Sequence, residues 1–149
     1  EFDLKAKLWT IPGDRMKAEK EHRVPLSKAC IELLRKLPKM EGTNHVFTAG
    51  KGKPLSDMTL TAVLRRMDID VTVHGFRSTF RQWACEQTNF PREVCEHALA
   101  HQLPDKVEAA YQRGDLFTKR EKLMAAWSDY CSKAQTTADV VPMQGREKA

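Results

Sequence analysis

No run of apolar residues in this chain approaches the ~18 that a membrane-crossing helix needs. No basic-then-apolar leader opens it, so secretion is not indicated. Its cysteines are only four, Cys30, Cys85, Cys95 and Cys131, irregularly spaced and without a CxxC pair. Without secretion, reduced and mostly buried thiols are expected rather than two bridges. Cys95-Glu96-His97 offers ligand-type side chains, but no second cluster stands at a ligand-like spacing, so no metal is expected. No internal repeat is visible either. What is present fits one domain with a real core: 149 residues, 41% hydrophobic and 30% charged. The net charge of +5 permits a nucleic-acid partner without demanding one.

Periodicity organises the chain. "KLWTIP" puts Trp9 and Ile11 on one face of a strand, and "HRVPLS" does the same for Val24 and Leu26. The polar stretch Gly13 to Glu21 joins them, which predicts an antiparallel hairpin with a long exposed turn. Ser27 is a plausible N-cap for a helix carrying Cys30, Leu33, Leu34 and Leu37, stopped by Pro38. "HVFTA" is a short strand or extended stretch. "GKGKPLSD" is a basic loop leading to a cap at Ser56 or Asp57. Leu60, Val63, Leu64 and Met67 trace a second helical stripe, which "DIDVT" breaks.

A third helix turns Phe76, Phe80, Trp83 and Ala84 inward. Pro91 suits the first turn of a fourth, whose stripe is Val94, Cys95, Ala98 and Leu99. After "HQLPDK" a short stretch carries Val107, Ala110 and Tyr111, and "RGD" at 113–115 is a turn. The last helix begins near Thr118, with Leu123, Trp127 and Tyr130 or Cys131 inward. Trp83 and Trp127 are expected in the core rather than as stacking platforms. The expected fold is mainly α (α+β), helical with a small antiparallel sheet. Residues 1–133 form the domain, and the polar tail 134–149 is expected to be mobile.

Several positions carry chemistry. His74 and Arg77 lie three apart, so they share a helix edge. His74 also stands where free backbone N–H groups favour an anion. A guanidinium and an imidazole converging there could hold a phosphate. Spacing alone favours the simpler reading, a solvated Arg and a helix-start His. Tyr111 has a hydroxyl titrating near ~10, a poor nucleophile unless cationic donors surround it. His101, ten residues earlier, could be such a donor, or merely a His at a helix end. Lys17 sits in the hairpin connector among Arg15, Lys20 and Arg23. There it is either a solubilising charge or a group that swings over an anion and protonates a leaving oxygen.

In this order the elements resemble the C-terminal catalytic domain of the tyrosine recombinases, the phage integrase family. The likeness is to the prophage and satellite-phage integrases of enterobacteria in particular. The stretches that carry it are "WTIPGDRMKAEKEHRVPLS", "PLSDMTLTAVLRRM", "HGFRSTFRQWACEQTNFPREVCEHALAH", "VEAAYQRGD" and "REKLMAAWSDYC". They cover most of Trp9 to Cys131.

The resemblance implies site-specific DNA recombination, the integration and excision of a phage genome. Tyr111 would be the nucleophile, forming a 3′-phosphotyrosyl link. Arg77 would brace the non-bridging oxygens, His74 would accept a proton or bond the phosphate, and His101 would be a second phosphate donor. Lys17 would be the general acid. No cofactor, metal or ATP is implied.

Arg15, Lys51, Lys53 and Arg81 are candidate DNA contacts, though for each alone the simpler reading, a solvated surface charge, is favoured. The implied partners are double-stranded attachment sites and, in a longer parent, three further protomers; the implied place is the bacterial cytoplasm, on the nucleoid. No residue before Arg15 matches the family's first active-site Arg. The expectation is therefore an N-terminally truncated domain, inactive alone, or else a non-catalytic DNA-binding or protomer-binding remnant. "ALAH" also replaces the more common Leu-Gly-His.

Overall fold

In the computed structural model, residues 1–101 and 114–133 are described. Three short strands, β1 (Phe2–Asp3), β2 (Leu8–Ile11) and β3 (His22–Pro25), form an antiparallel sheet in the order β1-β2-β3. Five helices follow among the described residues: α1 (Lys28–Lys36), α2 (Thr59–Arg66), α3 (Gly75–Glu86), α4 (Arg92–Ala98) and α5 (Phe117–Ser132). The expected class, helical with a small antiparallel sheet, is what this architecture shows.

The hairpin expected from Trp9 and Val24 forms in register, with Trp9 opposite Val24 and Ile11 opposite His22. The extra strand β1 was not anticipated. Asp3 makes it possible: its Oδ1 accepts from the amides of Lys5 and Ala6 at 2.9 and 2.8 Å, turning the chain back onto β2. The Phe2 and Trp9 rings, on paired residues, then stack at 5.2 Å. The β2–β3 connector begins with a 3₁₀ turn at Gly13–Arg15. It folds tightly, for a Cβ on Gly13 would stand 2.7 Å from the Glu19 carbonyl oxygen. Only glycine permits that approach.

Ser27 caps α1 as its position suggests, its Oγ accepting the Cys30 amide at 3.2 Å. Leu37 closes the helix in an extended conformation, the one favoured before Pro38. The inward residue is Ile31, however, and Leu33 is 53% exposed. Leu33 lies two positions from Ile31, about 200° around the helix, so the two cannot share a face. Helix α2 starts at Thr59 without a side-chain cap onto its backbone; Ser56 instead bonds the Thr59 hydroxyl at 3.1 Å. Of its expected stripe Leu64 is buried, while Leu60 and Met67 are 55% and 59% exposed. "HVFTA" supplies only an isolated bridge, Thr48 to Pro54.

The core sits between α3, α4 and α5. It gathers Phe80, Trp83, Ala84, Val94, Cys95, Leu99 and Leu123, with Trp127 and Tyr130 packed against it. Phe80 meets Trp127 edge-on at 5.3 Å, and Trp83 lies 4.9 Å from Trp127. Such offset and edge contacts suit the ring quadrupoles. Tyr130 rather than Cys131 faces inward. Phe76, expected inside, is 58% exposed. It shares a face with Phe80, but it belongs to the first turn of α3, where no neighbouring element covers it among the described residues.

Arg120 ties α5 to the sheet. Its side chain is 1% exposed. It donates to the Asp115 carbonyl at 2.7 Å, to Asp115 Oδ2 at 2.9 Å and to the Arg23 carbonyl at 2.5 Å. Burial pulls its pKa down despite the Asp115 carboxylate. The Phe117 ring covers both this guanidinium and that of Arg23, the latter at 4.4 Å from the centroid.

Candidate active site

Helix α3 places the first pair. Thr72 Oγ1 accepts the Gly75 amide at 3.0 Å and starts the helix. His74 stands as the residue just before it, exposed. Arg77, one turn on, is half-buried, and its guanidinium donates to the Leu99 carbonyl. That carbonyl belongs to the C-terminal end of α4, so α3 delivers Arg77 to the place where α4 stops.

The same helix end fixes His101. Leu99 is the C-cap of α4, and Ala100 follows in the left-handed region at φ 52°. The Ala100 amide bonds the His97 carbonyl at 3.1 Å, and the His101 amide bonds the Glu96 carbonyl at 2.9 Å. These two bonds define a Schellman turn. Ala100 occupies the position that usually falls to glycine, because a Cβ there is strained. The departure from Leu-Gly-His noted in the sequence is thus tolerated with the backbone still left-handed.

His101 Nδ1 lies 2.6 Å from Glu96 Oε2. Glu96 is buried, and its Oε1 is held by Arg81, through Nε at 2.8 Å and a terminal nitrogen at 2.7 Å. Arg92 adds a weaker contact at 3.8 Å. Burial alone would push the Glu96 pKa up; hydrogen bonds from His101 and Arg81 outweigh it and hold the carboxyl below its ordinary value. Arg81 also contacts the Cys85 sulfur.

The described structure brings Arg77 and His101 to the same end of α4, with His74 three residues before Arg77. The hairpin comes near the same point at its root. The partly buried His22 ring has its pKa lowered, first by burial and then by the Arg120 charge, against a hydrogen bond with the Ala98 backbone. Lys17 lies in the exposed connector beyond that root. Tyr111 lies outside the described residues. The apolar groove lined by Phe2, Leu34, Leu37, Met40 and Val46 shares no residue with this place.

Of the candidate DNA cations, Arg15 pairs with the Glu1 carboxylate, whose pKa this hydrogen bond lowers. Lys51 and Lys53 are exposed around the 3₁₀ turn Gly50–Gly52, Lys51 at φ 61°. Arg81 is engaged by Glu96. In the sequence Glu96 is weighed only as a metal ligand, and Arg120 and His22 are not singled out. The spacing of Arg92 and Glu96, four apart on a helix, was the one visible hint of an ion pair. Nothing in sequence marks Arg120 or His22, because the Arg23 carbonyl that Arg120 reaches and the Ala98 backbone beside His22 lie far away along the chain.

Among the described residues no group of three or more His, Cys, Asp and Glu could hold a metal, and no helix is long and apolar enough to cross a membrane. The model of the family described as "Phage integrase family" matches residues 1–115. The chain is 32% identical over 146 residues to "Prophage integrase IntA" of Escherichia coli (strain K12), covering 95% of this chain and 35% of that protein. It is 31% identical to the "Integrase" of Enterobacteria phage P4, over 87% of this chain and 34% of the relative. The "Integrase" of Shigella phage Sf6 is 30% identical, over 86% and 34%. The chain therefore spans about a third of the length of these relatives. No solved structure matches it.

Proposed function

The chain belongs to the phage integrase family, and from that premise we propose that it is the catalytic part of a site-specific DNA recombinase. Its substrate is a double-stranded attachment site, cut and rejoined without metal, cofactor or ATP. The observation that supports this reading most is the meeting of Arg77 and His101 at the end of α4, one turn along α3 from His74.

The chemistry follows from these groups. The Tyr111 hydroxyl oxygen attacks the scissile phosphorus while its proton passes to His74. Arg77 and His101 donate to the non-bridging oxygens, where negative charge grows. Lys17 protonates the 5′ oxygen as its bond to phosphorus breaks. The new phosphotyrosyl bond keeps the energy of the old diester, so rejoining needs no external source. Arg15, Lys51, Lys53 and Arg81 contact the DNA backbone, which makes binding fall with salt. For Arg81 this means sharing its guanidinium with Glu96.

The 149 residues contain no counterpart of the family's first active-site Arg, and one missing oxyanion cation costs ~10²–10³ in rate. Residues 1–149 alone should therefore recombine poorly. The working assembly is a tetramer on DNA in the bacterial cytoplasm.

A nicked suicide duplex carrying the attachment sequence tests this. A slow covalent adduct that vanishes in Tyr111→Phe supports the enzyme. A salt-dependent mobility shift without adduct in either chain overturns it in favour of a DNA-binding remnant. No salt-dependent binding at all removes both readings.

A further inference from the structure

Glu96 is a buried carboxylate that the chemistry above does not use. Its placement is unusual in holding one residue twice. The Glu96 carbonyl takes the His101 amide at 2.9 Å, and Glu96 Oε2 meets His101 Nδ1 at 2.6 Å. Backbone and ring of His101 are thereby referred to one residue of α4. Glu96 itself cannot swing, because Arg81 on α3 grips Oε1 through two nitrogens at 2.8 and 2.7 Å. Arg77, four residues before Arg81 on α3, reaches the Leu99 carbonyl of the same turn. A chain of contacts, Arg81 to Glu96 to His101, thus runs parallel to the contact of Arg77 and fixes Arg77 and His101 relative to each other.

We propose that Glu96 is the positioning residue for His101, holding its ring in the Nδ1–H tautomer and directing Nε2 toward the scissile phosphate. A carboxylate at Nδ1 can only accept, so it selects the tautomer that donates there. The hydrogen bond is charge-assisted and sits on a buried acceptor, which makes it one of the stronger kind. Nε2 is left as the outward nitrogen, on a ring that is partly exposed. When the ring is protonated, Nε2–H is aimed without further search. Ala100 serves the same end, since its left-handed turn returns the His101 amide to the Glu96 carbonyl. The inference rests on the reading of His101 as a phosphate donor.

Nitrogen-15 spectroscopy of the histidine ring tests it, with the His101 signal assigned by its loss in His101→Asn. In the unaltered 149-residue chain, at a pH where the ring is neutral, the Nδ1–H form should exceed the Nε2–H form by ~tenfold or more, the ratio a charge-assisted bond carries. In Glu96→Ala that excess should be lost, while the ring signals of His74 and His22 keep their tautomers. A dominant Nε2–H form in the unaltered chain overturns the proposal whatever the variant does, so a Glu96→Ala chain that fails to fold does not shelter it. An unchanged tautomer ratio in folded Glu96→Ala, as a purely structural Arg81–Glu96 pair would give, overturns it equally. The measurement needs no DNA. A Tyr111-dependent adduct together with an Nε2–H ring would leave the proposed function standing and this inference refuted. An Nδ1–H ring in a chain that never cleaves DNA would refute the proposed function, and with it the aim of Nε2 at a phosphate, leaving only the hold of Glu96 on the ring.

Discussion

Helices α2 and α5 both carry apolar residues at helical spacing, yet α5 turns its stripe into the core and α2 leaves half of its own in water. Leu123 of α5 is fully buried in the core cluster, whereas Leu60 and Met67 of α2 stay open. The difference is one of partners rather than pattern. α5 packs against α4, β3 and α1, while α2 makes no comparably extensive contact with another element among the described residues. Amphipathic spacing tells which face of a helix would be buried; only the neighbours decide whether it is.

Paired truncations should show that contrast most strongly. Leu123→Ala should cost ~2–5 kcal/mol, the range for a large side chain removed from a packed core. Leu60→Ala should change stability by less than ~0.5 kcal/mol, as exposed positions do. Denaturant midpoints at constant slope read both, and equal losses would break the comparison. Next in size is Arg120→Met, which keeps bulk but removes three hydrogen bonds, two to Asp115 and one, to the Arg23 carbonyl, that joins α5 to β3. A loss of ~2–3 kcal/mol is expected, and none if the packing of α5 on α4 alone holds the sheet.

Ala100→Gly acts in the opposite direction. Relief of a left-handed alanine, less the greater freedom of glycine when unfolded, should stabilise by ~1 kcal/mol. A higher melting temperature checks this, and a lower one would contradict the Schellman geometry at the end of α4.

The smallest effect concerns acid. The folded Glu96 carboxyl titrates below its ordinary 4.5, so the unfolded chain binds the proton more readily. The stability this gives is fully present above about pH 4.5 and is lost as pH falls from there through the depressed value. Replacing Glu96 with Gln should flatten the stability profile in that window and leave its slope near pH 7 unchanged.

Much of this was legible in the chain. The hairpin around Trp9 and Val24, the Ser27 cap and the aromatic core of Phe80, Trp83 and Trp127 follow from local periodicity and capping chemistry, which tertiary contacts here reinforce. Phe76, Leu33, Leu60 and Met67 went wrong for one physical reason: spacing defines a face and is silent on what meets it. Leu33 also failed locally, for a stripe through Ile31 excludes it. At the site, His74, Arg77 and His101 were readable as chemical types, and the resemblance to tyrosine recombinases supplied their order. The grip of Glu96 on His101 was not readable. It depends on a left-handed turn at an alanine, where sequence rules look for glycine. Arg120 shows the limit from the other side, since an arginine on an amphipathic helix reads as solvated until its carbonyl partner 97 positions away is seen.

The central claim is that Arg77, held at the end of α4 beside His101, braces the phosphate under attack. The most direct measurement is adduct formation on the nicked suicide duplex by Arg77→Gln, beside the unaltered chain and Tyr111→Phe. The claim predicts adduct formed ~10²–10³-fold more slowly in Arg77→Gln, with the salt-dependent mobility shift retained. An adduct formed by Arg77→Gln at the unaltered rate would contradict it.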